Sequence, residues 1–248
     1  MHEWPIINAD DLGISLDTNQ AIVISFRKSW INSASLMANM PAFDQACSLI
    51  ESEKLDGHIG VHLNLSAGRP LSALITRCPR FCDEQGMFRA RTGSFWQAAL
   101  NLSRSEQAAV REELGAQIRA CTLRGLRPTH LDSHQHQHIE WGIGSIVSDL
   151  AREFDIPTVR IMRNCGPQGS MPKRLYRIMF NARLRRLALA RSQYLGNIAN
   201  TQSILGRCRE VEVVVHPQMQ NGTVVDSIDH PLEPLIAELR SFTKLSSS

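Results

Sequence analysis

The chain has 248 residues, 43% apolar and 21% charged. That is enough hydrophobic material for one large domain with a sizeable core, and it excludes a disordered protein. The 27 basic and 24 acidic side chains leave a formal charge of +3, too small a surplus to mark a nucleic-acid binder.

No charged-then-apolar leader opens the sequence and no stretch approaches the roughly 18 apolar residues of a spanning helix, so a cytoplasmic protein is expected. The cysteines (Cys47, Cys78, Cys82, Cys121, Cys165, Cys208) are scattered. Only Cys78 and Cys82 lie close together, with no second pair to complete a zinc site, so reduced thiols are expected.

In chain order, "WPIINADD" reads as a strand ending in two acids, and a helix follows from Ser15. "INSASLMANM" is a second strand, "PAFDQACSLIESEK" a helix with Pro41 in its first turn, and "HIGVHLNL" a strand ending on His62 and Asn64. Residues 66–91 lack periodicity and read as a long loop, of the kind that often carries function. "SEQAAVREELGAQIRACTLRG" is a helix capped by Ser105, striped by Ala108, Leu114, Ile118 and Cys121, and stopped by Gly125.

Beyond it, "WGIGSIVSDLAREFD" is helical, "IPTVRIMR" a strand, "CREVEVVVHP" a strand and "PLEPLIAELRSFTKL" a closing helix. Residues 172–191 carry seven bases and no acid, with Leu175, Ile178, Met179 and Ala182 at helical spacing, and read as a basic amphipathic helix. A solvated helix face is the expected use. Attraction of an anionic substrate, a membrane surface or a partner is the alternative, with membrane contact not expected; separately, a homodimer is left open. Strands alternating with helices, with no clear hairpin signal, predict parallel strands, a single barrel-like α/β domain over 1–245 and a short tail at 246–248.

The ionisable residues gather at the predicted strand ends, where barrel enzymes build their sites. Asp10 and Asp11 close the first strand. "THLDSHQHQH" packs His130, His134, His136 and His138 into ten positions. Pro128 argues against a helix there, so the segment reads as a strand breaking into a loop at Ser133, with His134 best placed to meet Asp11 and His62 at the mouth. Two imidazoles and one carboxylate leave open positions on a divalent ion, which suits a catalytic site that activates water. Arg160 and Arg163 follow another strand, where an arginine can orient an acid or the substrate. His216 ends a very apolar strand, where it can protonate a leaving group.

"INADDLGIS" with Asn19 and Ala21, "GVHLNLSAGRPL", "PTHLDSHQHQH", "VRIMR" and "VHP" resemble, in order and spacing, the YdjC-like family of carbohydrate deacetylases, which includes chitooligosaccharide deacetylases and hopanoid-biosynthesis-associated proteins. The resemblance implies a distorted (β/α) barrel that removes acetyl from an N-acetylated sugar with one divalent metal, zinc or magnesium foremost and nickel or cobalt as alternatives. Carried over by motif, Asp11, His62 and His134 are metal ligands, Asp10 the general base and His216 the general acid. Asn64, His136, His138, Arg160 and Arg163 contact the substrate or support the ligands. Trp96 and Trp141 are candidate sugar-stacking residues. The competing expectations are a phosphoesterase-type metallohydrolase and a non-catalytic metal or sugar binder on the same fold.

Overall fold

The computed structural model describes residues 5–90, 102–167, 169–205, 207–208, 210–226 and 230–244. Six parallel strands form one curled sheet in the order β4-β3-β2-β1-β6-β5. These are β1 (Ile6–Leu12), β2 (Ser33–Leu36), β3 (Ile59–Leu63), β4 (Leu131–Ser133), β5 (Tyr194–Asn197) and β6 (Val211–Val215). The central strands are buried on both faces, as parallel strands flanked by helices require.

Helices α1 (Leu16–Arg27), α2 (Phe43–Ser52), α3 (Arg104–Leu123), α4 (Trp141–Glu153), α5 (Met171–Arg186), α6 (Ile198–Leu205) and α7 (Leu232–Lys244) fill the crossovers and close the chain. Ser15 caps α1 by accepting the Thr18 N–H. The cap of α3 is Ser103 rather than Ser105, because Ser103 exchanges hydrogen bonds with Glu106 in a capping box. The α3 stripe runs through Ala109 and Val110, with Ala108 exposed.

Three further expectations are corrected. The strand predicted at "IPTVRIMR" is reduced to single bridges, Leu131 to Val159 and Val159 to Ala190. Residues 158–165 nevertheless link the two sheet edges, since Leu131 donates to the Thr158 carbonyl (2.9 Å) and Cys165 to that of Leu195 (3.1 Å). The distorted barrel thus consists of a regular parallel sheet and one irregular side.

Hairpins are present after β6. β7 (Gln218–Gln220), β8 (Thr223–Asp226) and β9 (His230–Pro231) form a small antiparallel sheet. Asn221 and Gly222 both have positive φ at its first turn, the Asn-Gly signal for such a turn.

The basic helix stops at Arg186, short of Arg191, which is buried. Helix α5 turns Arg177, Phe180, Asn181 and Leu184 inward and leaves Leu175, Ile178 and Met179 exposed.

The 66–90 loop is ordered against α3. The Leu71 and Ser72 N–H groups donate to Glu113 (3.1 and 2.7 Å), and Ile75, Phe81 and Phe88 join the core. Trp96 and residues 246–248 lie outside the described residues. None of the described helices is long and apolar enough to cross a membrane.

Candidate metal centre

The end of β1 solves a geometric problem. Neighbouring strand residues point to opposite faces, yet both acids of "ADD" reach the same region. The pairing with β2 shifts between Ala9 and Leu12, so two β1 residues oppose one on β2, as in a β-bulge. Asp11 takes a left-handed φ of 69°, a conformation costing an ordinary residue about 1–2 kcal/mol. Gly13 has a φ of 93° and donates to Asn19 Oδ1 (2.6 Å), and Asn19 Nδ2 donates to the Ala42 carbonyl (3.0 Å). The motif residue Asn19 therefore ties the end of β1 to the start of α2.

Asp11, His62 and His134 converge. Asp11 Oδ1 lies 3.2 Å from His62 Nε2 and 2.8 Å from His134 Nδ1, and one donor atom of each falls within 4.8 Å of the others. Strand register supports the set, because His62 pairs directly with Asp132 across β3 and β4. His62 Nδ1 donates to Asp132 Oδ1 (2.8 Å), with Ser35 Oγ also near (3.1 Å), which turns Nε2 toward Asp11. A carboxylate behind the remote nitrogen is the usual support of a metal-binding histidine.

Burial disfavours a charged imidazole, but the Asp132, Asp10 and Asp11 carboxylates outweigh it and push the His62 pKa up to about 10. The same concentration of negative charge favours a cation. Burial raises the Asp11 carboxyl and hydrogen bonds from His134 and His62 lower it further, leaving it ionised.

Asp10 is buried beside this set. Arg160 grips it through two nitrogens, Nη1 to Oδ2 and Nη2 to Oδ1, both at 2.8 Å. Asn8 also donates to Oδ1 (2.9 Å). Burial alone would raise the Asp10 carboxyl; Arg160, His62 and His216 hold it well below the usual carboxylate range. His216 Nε2 stands 4.0 Å from Asp10 Oδ2, and its own backbone N–H donates to Asp226 (2.7 Å).

Arg160 serves three acids. Its Nε donates to Glu212 (2.8 Å), and its Nη2 forms an ion pair 2.7 Å from Asp132 Oδ2, outside hydrogen-bonding angles. Arg191 shares Glu212 (2.9 Å) and donates to Asn8 and Ser33. With His62 neutral, as a metal ligand must be, the connected cluster sets four carboxylates (Asp10, Asp11, Asp132, Glu212) against two guanidinium groups (Arg160, Arg191). A divalent ion held by Asp11, His62 and His134 would balance it, so both donor chemistry and charge fit such an ion.

The remaining histidines hold different positions. His130 packs over Gly60, where an added Cβ would lie 2.3 Å from its ring, and its Nδ1 pairs with Thr129 Oγ1 (2.9 Å). Gln135 and His136 both have positive φ at the turn after His134. His136 is pushed down to about 4 by burial and by Arg160 and Arg163. His138 is buried against Ser133, whose Oγ accepts its N–H (2.8 Å) and pairs with its Nδ1 (2.7 Å).

The Asn64 side chain is spent on the loop after β3, donating to Ala67 O (2.7 Å) and Asn39 Oδ1 (3.0 Å). Arg163 is half-buried, its Nε without a hydrogen-bond partner among the described residues. Trp141 stacks at a tilt on Tyr176, ring centroids 5.7 Å apart.

Asp132, Glu212 and Arg191 were not singled out in the sequence. An acid inside the apolar run "VEVVV" is a legible signal, since a buried charge needs a partner. Asp132 lies inside the histidine motif. Arg191 is masked by the bases before it.

Residues 6–244 match the family model described as YdjC-like protein. A carbohydrate deacetylase of Halalkalibacterium halodurans is 38% identical over 64% of this chain and 64% of its own. A chitooligosaccharide deacetylase of Klebsiella pneumoniae is 32% identical over 90% of this chain and 84% of its own. A carbohydrate deacetylase of Clostridium beijerinckii is 27% identical over 96% and 90%. The chain spans just under two thirds of the length of the Halalkalibacterium relative and 63% of that from Geobacillus stearothermophilus. Among solved structures, a candidate cellobiose-phosphate cleavage protein of Enterococcus faecalis superposes with a TM-score of 0.68 at 22% identity, covering 98% of this chain and 91% of its own, which establishes the shared fold.

Proposed function

The chain belongs to the YdjC-like family, and from that premise we propose that it is a metal-dependent deacetylase of N-acetylated amino sugars. The observation that carries this reading is the convergence of Asp11, His62 and His134 beside an Asp10 held ionised by Arg160. Relatives named carbohydrate deacetylase and chitooligosaccharide deacetylase support the substrate class. Six free thiols favour a reducing compartment such as the cytoplasm.

Asp11, His62 and His134 would hold the ion, with zinc or magnesium foremost and nickel or cobalt as alternatives. Bound there, it supplies Lewis acidity toward the acetamide carbonyl and brings the pKa of a water toward 7. Asp10 accepts the proton of the attacking water. Its depressed pKa makes it a weak base, so Arg160 keeps it available while the acidity of the water comes from the ion. The water oxygen bonds to the acetamide carbon, the C–N bond breaks, and His216 gives a proton to the departing nitrogen. The products are acetate and a free amino sugar.

A two-metal phosphoesterase is disfavoured. Its second cation would sit among Asp10, His62 and Asp132, where the Arg160 guanidinium already pairs with both carboxylates.

The test is acetate release from N-acetylglucosamine compounds (free, oligomeric, nucleotide-linked and lipid-linked) by metal-stripped protein resupplied with each metal in turn. Release should vanish in Asp11→Ala and fall by about 10²–10⁴-fold in Asp10→Asn. Silence across the panel from protein that binds one metal tightly would transfer the assignment to another hydrolytic reaction.

A further inference from the structure

Helix α5 presents to solvent what a globular protein ordinarily buries. Met171, Leu175, Ile178 and Met179 are 73%, 59%, 55% and 51% exposed. With 3.6 residues per turn, these four and Ala182 lie on one outward stripe. Arg174 and Arg185 border one edge, Arg183 the other, and Arg186 ends it. The opposite side, Arg177, Phe180, Asn181 and Leu184, is packed inward.

An apolar stripe flanked on both edges by bases, with no acid from residue 172 to 191, is the pattern of a helix that lies in a membrane interface. Its apolar side chains enter the acyl boundary while the bases meet anionic headgroups. We propose that α5 docks this protein on an anionic bilayer surface. A second copy of the chain is the poorer occupant, because a two-fold pairing through this stripe sets its arginines against the same arginines.

The face is wired to the mouth of the barrel. The Tyr176 hydroxyl donates to the Ile139 carbonyl, directly after the histidine turn. The Asn181 side chain brackets Met162, accepting its N–H (2.8 Å) and donating to its carbonyl (3.0 Å), one residue before Arg163. A groove of about 480 Å³ between α4 and α5, lined by Trp141, Tyr176, Met179 and Phe180 among others, continues the apolar face. Docking is a property of the helix and holds whatever the metal centre does. Only its use, bringing lipid-borne amino sugars to the mouth, rests on the deacetylase reading.

The experiment is cosedimentation of the full chain with vesicles of phosphatidylcholine alone and of phosphatidylcholine with phosphatidylglycerol, alongside acetate release from a soluble N-acetylated sugar without vesicles. The parent should sediment with the anionic vesicles and be released by salt. Leu175→Ser/Ile178→Ser/Met179→Ser should abolish sedimentation, and Arg183→Gln/Arg185→Gln/Arg186→Gln should weaken it about 10- to 100-fold. All replaced side chains are exposed, so the variants should keep the parent's melting temperature and soluble-substrate activity.

Absence of sedimentation, or equal sedimentation by the variants, overturns the docking. So does a lipid-free parent dimer that the apolar triple variant splits, since that makes a second copy the occupant. Sedimentation without acetate release from any free, oligomeric, nucleotide-linked or lipid-linked N-acetylated sugar leaves docking in place and removes the deacetylase reading.

Discussion

At the mouth of the barrel, Asp11 and His134 keep part of their surface in solvent, and the backbone that carries them is strained, with positive φ at Asp11, Gln135 and His136. In the interior beside it, Arg160, Asp10, Asp132, Glu212 and Arg191 are buried, and none of them has a positive φ. Both regions are built of ionisable side chains. The mouth leaves donor atoms converging on one point, whereas the interior pairs its charges with one another. Strain at the mouth is tolerated because the sealed network and the sheet around it determine where the chain can go. Converging donor atoms and internally paired charges are thereby assigned to neighbouring sets of residues that meet at Asp10, which Arg160 grips on one side and His216 approaches on the other.

The sharpest way to break that separation is to remove a charge from each side. Arg160→Met removes the guanidinium shared by three buried carboxylates, Asp10, Asp132 and Glu212, and should cost about 3–5 kcal/mol of stability, read by urea unfolding. Asp11→Ala, at a partly exposed position with two histidine partners, should cost clearly less stability than Arg160→Met while abolishing metal binding. Equal losses in the two variants would mean that mouth and interior form one unit.

Asp132 connects the regions, touching His62 on one side and Arg160 on the other. Asp132→Asn should lower zinc affinity by about 10–100-fold, measured by calorimetric titration. An unchanged affinity would show that Ser35 alone suffices to orient His62.

The same division explains what could be read from the sequence. The mouth is built from strand ends with local motifs, so Asp11, His62 and His134 were legible, as were the regular strands that carry them. The irregular side was not. At 157–165 the chain looks like a strand but pairs only through single bridges, with the Arg160 N–H on the Leu131 carbonyl beside the short β4. Arg191 read as one more base on a helix, since a run of bases hides the one whose partner, Glu212, is distant in sequence. β5 and α6, in "YLGNIANTQSIL", carry too little periodicity to separate from loop. The Asn221-Gly222 turn carries its hairpin signal in its own two residues, against the all-parallel expectation from the alternating strands and helices.

The smallest expected effect separates the interior from the mouth by pH. His138 is pushed down to about 3, first by burial and then by His136. Buried His130 is also lowered, by burial and Arg191. An imidazole lowered from 6.5 stays neutral in the folded protein while the unfolded chain takes up a proton. Its contribution to stability is therefore constant above about pH 6.5 and is lost as pH falls toward its folded pKa. Each such histidine adds a slope of about 1.36 kcal/mol per pH unit.

Between about pH 4 and 6 the lowered His130 and His136 add slopes of their own, which the parent and a His138 variant share. His62, raised to about 10, keeps its proton in both states. Asp10 and Asp132, lowered below 3.8, lose their contribution only at lower pH. His138→Leu should thus flatten the acid slope of urea-measured stability by one proton in that window and leave the curve above pH 6.5 parallel to the parent's. An unchanged slope would mean that the His138 pocket admits the proton, and that this part of the interior is open to solvent in the way the mouth is.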